Sequence, residues 1–229
     1  AFGEQHGYPF VLKTRIGGYD GRGNALVPSP GALEKDYERL AQIGALMAEQ
    51  YQWFYRELAV TGVRGQDGVI KLYAVAETRC TQNIVQAVSV PAVDRFDSYL
   101  AEKGRQEGAF YFADIADLAG RVAQTIDIIG VFGIELFELR DGRIVINDVA
   151  PRPHVSGHWT IEASLTSQFE NHARALLGLP LGWTDMIAPH AATAMLLARN
   201  EVLPKSLDFV QAAQLRGARI HWYGKTSAY

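Results

Sequence analysis

The run from Val131 to Val149, VFGIELFELRDGRIVINDV, decides the architecture. Two apolar, β-rich stretches flank Asp141-Gly142, and an Asp-Gly pair between such stretches is a strong hairpin signal. Read as a two-residue turn, it sets Arg140 against Arg143 and, further along, Glu135 against Asp148. Directly opposed side chains have Cβ atoms about 4.5–5.5 Å apart, where two carboxylates repel each other unless a cation sits between them. Oxygen donors favour Mg²⁺ or Mn²⁺ over zinc, and Mg²⁺ completes its shell with phosphates and water. Asn147 points to the other face in a regular strand, although a bulge near the strand end would bring its carboxamide towards the ion. The alternative is that one carboxylate turns to solvent or pairs with an arginine.

Working outward, Phe112, Ile115, Ala119, Val122 and Ile126 mark a core-facing helix before the hairpin. After it comes a loop, Pro151 to His158, then a helical segment stopped by Gly178 with Pro180 beyond. Towards the beginning, Tyr8 to Leu12 reads as a short buried strand leading through Lys13 into a loop bearing Gly17, Gly18, Gly21 and Gly23. Gly31 to Gly44 is an amphipathic helix with Leu33, Tyr37, Leu40 and Ile43 on its apolar stripe. Ala45 to Glu49, Glu57 to Arg64, Val69 to Glu77 and Ile84 to Val90 read as an antiparallel meander. Asp94 to Gly108 is a charged surface excursion, and Ala194 to Ala198 and Ala218 to Tyr223 are strand candidates.

Composition narrows the possibilities. The 229 residues are 48% hydrophobic and 21% charged with a formal charge of −3, which excludes wholesale disorder and a strongly basic nucleic-acid binder. One cysteine, Cys80, cannot make an internal disulfide, so a cytoplasmic home is expected. No basic leader or 18-residue apolar run argues for export or a membrane partner. The first residue is not methionine and a strand follows almost at once, as expected of a piece of a longer chain.

Lys13 and the glycine loop could cradle phosphate, although the G-K-[ST] ending of a Walker A loop is missing. A solvated lysine beside an ordinary turn is the other reading. His154 and His158 are four apart, but Pro151, Pro153 and Gly157 break any helix through them, so the spacing carries no metal meaning. What remains is a loop offering Arg152, His154, Ser156 and His158 ahead of a helix, suited to an anion or simply rigid. Cys80 reads as a buried or incidental thiol, and the cluster Tyr51, Trp53, Phe54 and Tyr55 as core or as a base-stacking surface. No Ser/His/Asp triad or nucleophile elbow is present.

The run APRPHVSGHWT from Ala150, with Thr166-Ser167-Gln168-Phe169-Glu170, Leu177 to Gly182, Gly17 to Gly23, Glu57 to Gly65 and His221 to Lys225, resembles the N5-carboxyaminoimidazole ribonucleotide synthetases. This ATP-grasp family also forms the synthetase part of fungal phosphoribosylaminoimidazole carboxylases. The resemblance implies an α+β ATP-grasp fold: a small β-rich, nucleotide-covering lobe over 1–92, a larger lobe with antiparallel sheet and helices over 93–182, and a truncated β-rich segment over 183–229. It implies that ATP, with Mg²⁺ or Mn²⁺, drives carboxylation of aminoimidazole ribonucleotide by bicarbonate through carboxyphosphate, in purine synthesis. Lys13 would contact phosphates, Glu49, Gln50, Tyr51 and Gln52 the adenine, and Glu57 the ribose. Glu135 and Asp148 would hold the metal, with Asn147 beside them. Tyr19, Arg22, Arg152, His154 and Lys225 would serve the ribonucleotide and bicarbonate, with Tyr19, Arg22 and Arg152 closest to the chemistry. Homodimers are common in this family.

The family usually has histidine at Cys80, glutamate at Asp148 and asparagine at Val155, and a basic run where Thr226-Ser227-Ala228-Tyr229 stands. Its amino-terminal domain is also expected to be missing. These departures keep two alternatives open, an ATP-grasp ligase with another acceptor and a nucleotide-binding remnant without catalysis.

Overall fold

A computed structural model describes residues 2–18, 23–81, 84–92, 109–196 and 206–223. A short helix α1 (Phe2–His6) precedes β1 (Phe10–Thr14), β2 (Asn24–Val27), α2 (Leu33–Ala41) and β3 (Leu46–Gln50). The three strands form one antiparallel sheet with β1 in the middle. Alternation sends Phe10 and Leu12 inward against Val27 and Leu40. Of the apolar stripe expected on α2, Leu40 is buried, while Tyr37 and Ile43 stay exposed.

The second sheet is built from β4 (Phe54–Arg64), β5 (Ile70–Leu72), β6 (Ala76–Thr81) and β7 (Ile84–Val90), then, after α3 (Ala109–Thr125), from β8 (Gly130–Leu139) and β9 (Ile144–Ala150). Its order is β10-β7-β6-β4-β8-β9, with β5 on β4 and β10 (Ala191–Ala194) at the edge. The expected meander is therefore divided: β3 belongs to the first sheet and β4 to β7 belong to the second. The cause is long-range: β4 pairs with β8 from Phe54↔Leu139 to Arg64↔Gly130, and both faces of this pair are covered. On one face Leu58, Val60, Phe132, Ile134 and Leu136 lie under Ile115, Ala119 and Ala123 of α3. The other face carries Glu57, Ala59 and Thr61 opposite Phe137, Glu135 and Gly133.

After the hairpin come α4 (Thr160–Ala163), α5 (Gln168–Leu176) and α6 (Ser206–Ala213). Of the strand expected at Ala194 to Ala198, residues past Leu196 lie outside the described residues, and the strand seen there is Ala191–Ala194, which pairs with the β7 edge. Ala218 to Tyr223 joins no ladder, and the described residues after 183 hold one strand and one helix. The excursion at Asp94 to Gly108 falls outside the described residues. Among the described residues no helix is long and apolar enough to cross a membrane.

Tyr73 ties the sheet to α5. Its hydroxyl donates to the Thr166 carbonyl at 3.0 Å and accepts from Asn171 Nδ2 at 2.8 Å, while Asn171 Oδ1 takes the Gly182 N–H at 2.8 Å. Burial pushes the phenol up to about 12. A raised phenol contributes fully below its unfolded value near 10 and loses that contribution as pH rises through 12, so stability should fall by about 2–3 kcal/mol across that window. Tyr73→Phe is expected to lose about 1–2 kcal/mol at pH 7 but to show a shallower alkaline decline, both read from urea titrations.

Candidate active site

The hairpin does bring Glu135 and Asp148 face to face, by a different route from the one the sequence implies. The loop has three residues, with Leu139 rather than Arg140 facing Arg143: the Leu139 N–H donates to the Arg143 carbonyl at 2.9 Å and the Gly142 N–H to the Leu139 carbonyl at 3.0 Å. Gly142, at φ 82°, takes the left-handed conformation that this loop requires. Leu136 then pairs with Ile146, one residue off the expected register. A bulge at Asn147 restores it, so Glu135 pairs with Asp148 and Gly133 with Ala150. The bulge re-aims Asn147, whose Nδ2 donates to Glu135 Oε2 at 3.3 Å.

Three carboxylates share this face. Glu57 lies opposite Phe137, and Ala59 opposite Glu135, so Glu57 and Glu135 are diagonal neighbours. Burial, then Asp148 and Glu57, hold Glu135 above the usual carboxylate range, against the Asn147 bond and Lys13. The same crowding reaches Cys80, whose thiol is pushed up by burial and by Glu57 and Glu135. It is a protonated, half-buried thiol rather than a nucleophile. Lys13 Nζ meets Glu49 Oε2 at 2.6 Å, supplying positive charge from the small sheet.

His154 faces these carboxylates from the following loop. Gly133 makes room for it, since a Cβ there would lie 2.7 Å from His154 Cβ. Nε2 stands 3.4 Å from Glu135 Oε1, and Nδ1 lies 2.8 Å from Ser156 Oγ. Burial, with Arg152 adding to it, pulls the imidazole down to about 4, so at neutral pH it is uncharged and the Glu135 contact is not an ion pair. With Nδ1 also facing the Ser156 N–H at 3.4 Å, the ring proton belongs on Nε2, towards Glu135. The loop itself is held by Gln168, which is fully buried: its Oε1 accepts from His154 N–H at 3.0 Å and its Nε2 donates to the His154 carbonyl at 2.8 Å.

A cleft of about 2740 Å³ collects Lys13, Glu49 to Gln52, Glu57, Glu135, Asn147, Asp148, Arg152 and His154. Tyr19, Arg22 and Lys225 lie outside the described residues. Of the aromatic cluster, Phe54 stacks on Phe137 at 4.3 Å, Tyr51 packs edge-on against Trp53, and Trp53 and Tyr55 are exposed, so it is not a core. The sequence reading named Ser156 in the loop but gave no role to Gln168, Glu162 or Tyr223. Only Gln168 carried a local signal, next to Ser167, whose Oγ caps α5 by accepting from Glu170 N–H at 3.1 Å. Among the described residues no group of three or more His, Cys, Asp or Glu side chains forms a metal cage. Two opposed carboxylates beside the Asn147 carboxamide, whose Nδ2 here faces Glu135, instead suit a hard divalent cation that brings other oxygen ligands with it, and the like-charge crowding at Glu135 is what such a cation would relieve.

The chain is 34% identical over 229 residues to the N5-carboxyaminoimidazole ribonucleotide synthase of Vibrio vulnificus strain YJ016, covering 97% of this chain and 54% of that one. It is 38% identical over 230 residues to the phosphoribosylaminoimidazole carboxylase of Candida glabrata, covering 98% and 38%. It thus spans about half the length, or less, of these curated relatives. The Aspergillus clavatus carboxyaminoimidazole ribonucleotide synthase complexed with ATP superposes with a TM-score of 0.85 at 33% identity, covering 99% of this chain and 56% of that one. The same fungus's enzyme with ADP and 5-aminoimidazole ribonucleotide gives 0.82 at 30% identity, with 99% and 56% covered. Residues 1–169 match the ATP-grasp domain, a stretch that takes in the small sheet, the acidic hairpin and the His154 loop, and so the chain belongs to the ATP-grasp family.

Proposed function

We propose that the protein to which this chain belongs carboxylates 5-aminoimidazole ribonucleotide with bicarbonate at the expense of ATP. The observation that carries this reading is the Glu135–Asp148 pair, with His154 reaching from the Arg152 loop to the same Glu135. The same cleft is also lined by Arg152, His158, His190, Arg216 and His221, suited to a phosphate-bearing acceptor, and in this reading these cations form its acceptor end and the carboxylates its triphosphate end. The relatives solved with ATP, and with ADP and the ribonucleotide, support the same assignment.

In this reading Glu49, Gln50, Tyr51 and Gln52 line the adenine site, Glu57 takes the ribose hydroxyls and Lys13 exchanges Glu49 for phosphate oxygens. Glu135 and Asp148, with Asn147, hold the divalent cation, which when bound offsets charge on the transferring phosphoryl group. A bicarbonate oxygen attacks the γ-phosphorus and ADP leaves. The acceptor amine then attacks the carboxyphosphate carbon, phosphate departs, and the amine loses a proton. His154 keeps its proton on Nε2 and orients Glu135, while Arg152 supplies positive charge to the anionic reactants.

The test is ADP release and carboxylated product measured with each reactant omitted. Both should require bicarbonate and the ribonucleotide together. ADP formation indifferent to the ribonucleotide, with no carboxylated product, would overturn the assignment. Lys13→Met is expected to weaken ATP binding about tenfold in calorimetry, the loss of one charge-assisted contact, with an unchanged melting temperature because Lys13 is partly exposed.

A further inference from the structure

The segment from Arg219 to Tyr223 joins neither sheet, yet alternate residues of it are fastened to one helical turn. Glu162 Oε2 lies 3.7 Å from Arg219 Nε, and its Oε1 lies 3.4 Å from His221 Nε2. The Tyr223 hydroxyl stands 3.1 Å from His158 Nδ1. His158 and Trp159 have helical dihedrals and lead directly into α4, so His158 and Glu162, four apart, share a face. Trp222 packs edge-on against Phe209 of α6 at 5.3 Å. All these side chains line the same cleft as Arg152 and His154.

We infer that Glu162 is a positioning residue: together with His158 it holds Arg219 to Tyr223 as a wall at the acceptor end of the cleft, and so sets affinity for the anionic ribonucleotide without touching the triphosphate end. This rests on the acceptor proposed above. Two effects of removing Glu162 have opposite signs. Deleting an anion beside Arg219 and His221 would, by electrostatics alone, tighten an anionic ligand. Releasing the wall loosens it.

Glu162→Ala is therefore expected to raise the Kd for 5-aminoimidazole ribonucleotide about fivefold in calorimetry, to leave the Kd for ADP within about twofold, and to speed tryptic cleavage after Arg219 about fivefold, the scale of an exposed charged network. Glu162→Gln, which keeps a hydrogen-bond acceptor, should recover part of each loss, and Tyr223→Phe should act in the same direction as Glu162→Ala. Unchanged or tighter ribonucleotide binding in Glu162→Ala would overturn the inference. If the unmodified chain binds no ribonucleotide, the acceptor assignment falls. The cleavage rate then decides the clasp alone: faster cutting in the variant upholds it and equal rates overturn it.

Discussion

Glu135→Gln is expected to cut Mg²⁺-dependent ATP turnover by about 10³-fold or more, while leaving the metal-free chain at least as stable as before. The kinetic loss corresponds to about 4 kcal/mol of transition-state stabilisation, the scale of removing one charged anchor from a phosphoryl-transfer site. Stability moves the other way because Glu135 is held above the usual carboxylate range by burial, Asp148 and Glu57. A carboxylate raised in the folded state contributes stability below its unfolded pKa and loses it as pH rises through the folded value. Above that folded value the metal-free protein has lost the contribution, and a neutral amide restores it. The measurements are ADP release with Mg²⁺ and thermal melting without it. A variant that keeps its turnover, or that unfolds several degrees early, would count against Glu135 as a metal-holding group.

The second large effect is structural. Gln168→Ala should cost about 3–5 kcal/mol, read from urea midpoints at constant slope, because the buried His154 N–H loses its partner, the His154 carbonyl keeps only the Gly157 N–H, and a cavity opens. The site should suffer with it, since His154 reaches Glu135 only while the loop lies pinned on Gly133. Gly157 has no room for a substitute contact there: a Cβ on it would sit 2.7 Å from both Gln168 Oε1 and Thr61 Oγ1. A loss below about 1 kcal/mol would mean the loop has other supports.

Local patterns carried much of the fold. Spacing located α2 and put Ile115, Ala119 and Val122 on the core face of α3, although Ile126 is exposed just past its end, and the Asp-Gly pair located the hairpin. The turn type was not legible, because Asp141 uses its side chain: Oδ1 accepts the Arg143 N–H at 3.1 Å and Oδ2 meets Arg143 Nε at 2.8 Å, which favours the three-residue loop. The opposition of Glu135 and Asp148 nevertheless came out right, since the longer loop and the bulge offset each other. Sheet membership was hidden for another reason. Nothing near Phe54–Arg64 announces that its partner begins at Gly130. At Ala218 to Tyr223 the alternation of apolar and polar residues reads as strand, and the segment meets side chains of a helical turn in place of a ladder. Of the site, the acidic pair was legible from spacing, whereas the Gln168 pin and the Glu162 clasp depend on contacts between segments that no short window contains.

A regular antiparallel rung seats two side chains. At the Glu135 rung the extra residue seats three oxygen-bearing groups, Glu135, Asn147 and Asp148. A strand can thus acquire an additional donor by insertion rather than by substitution, without displacing the carboxylate already there. Excising Asn147 should leave the two acids opposed and the ladder straighter, with one oxygen-bearing side chain fewer beside them.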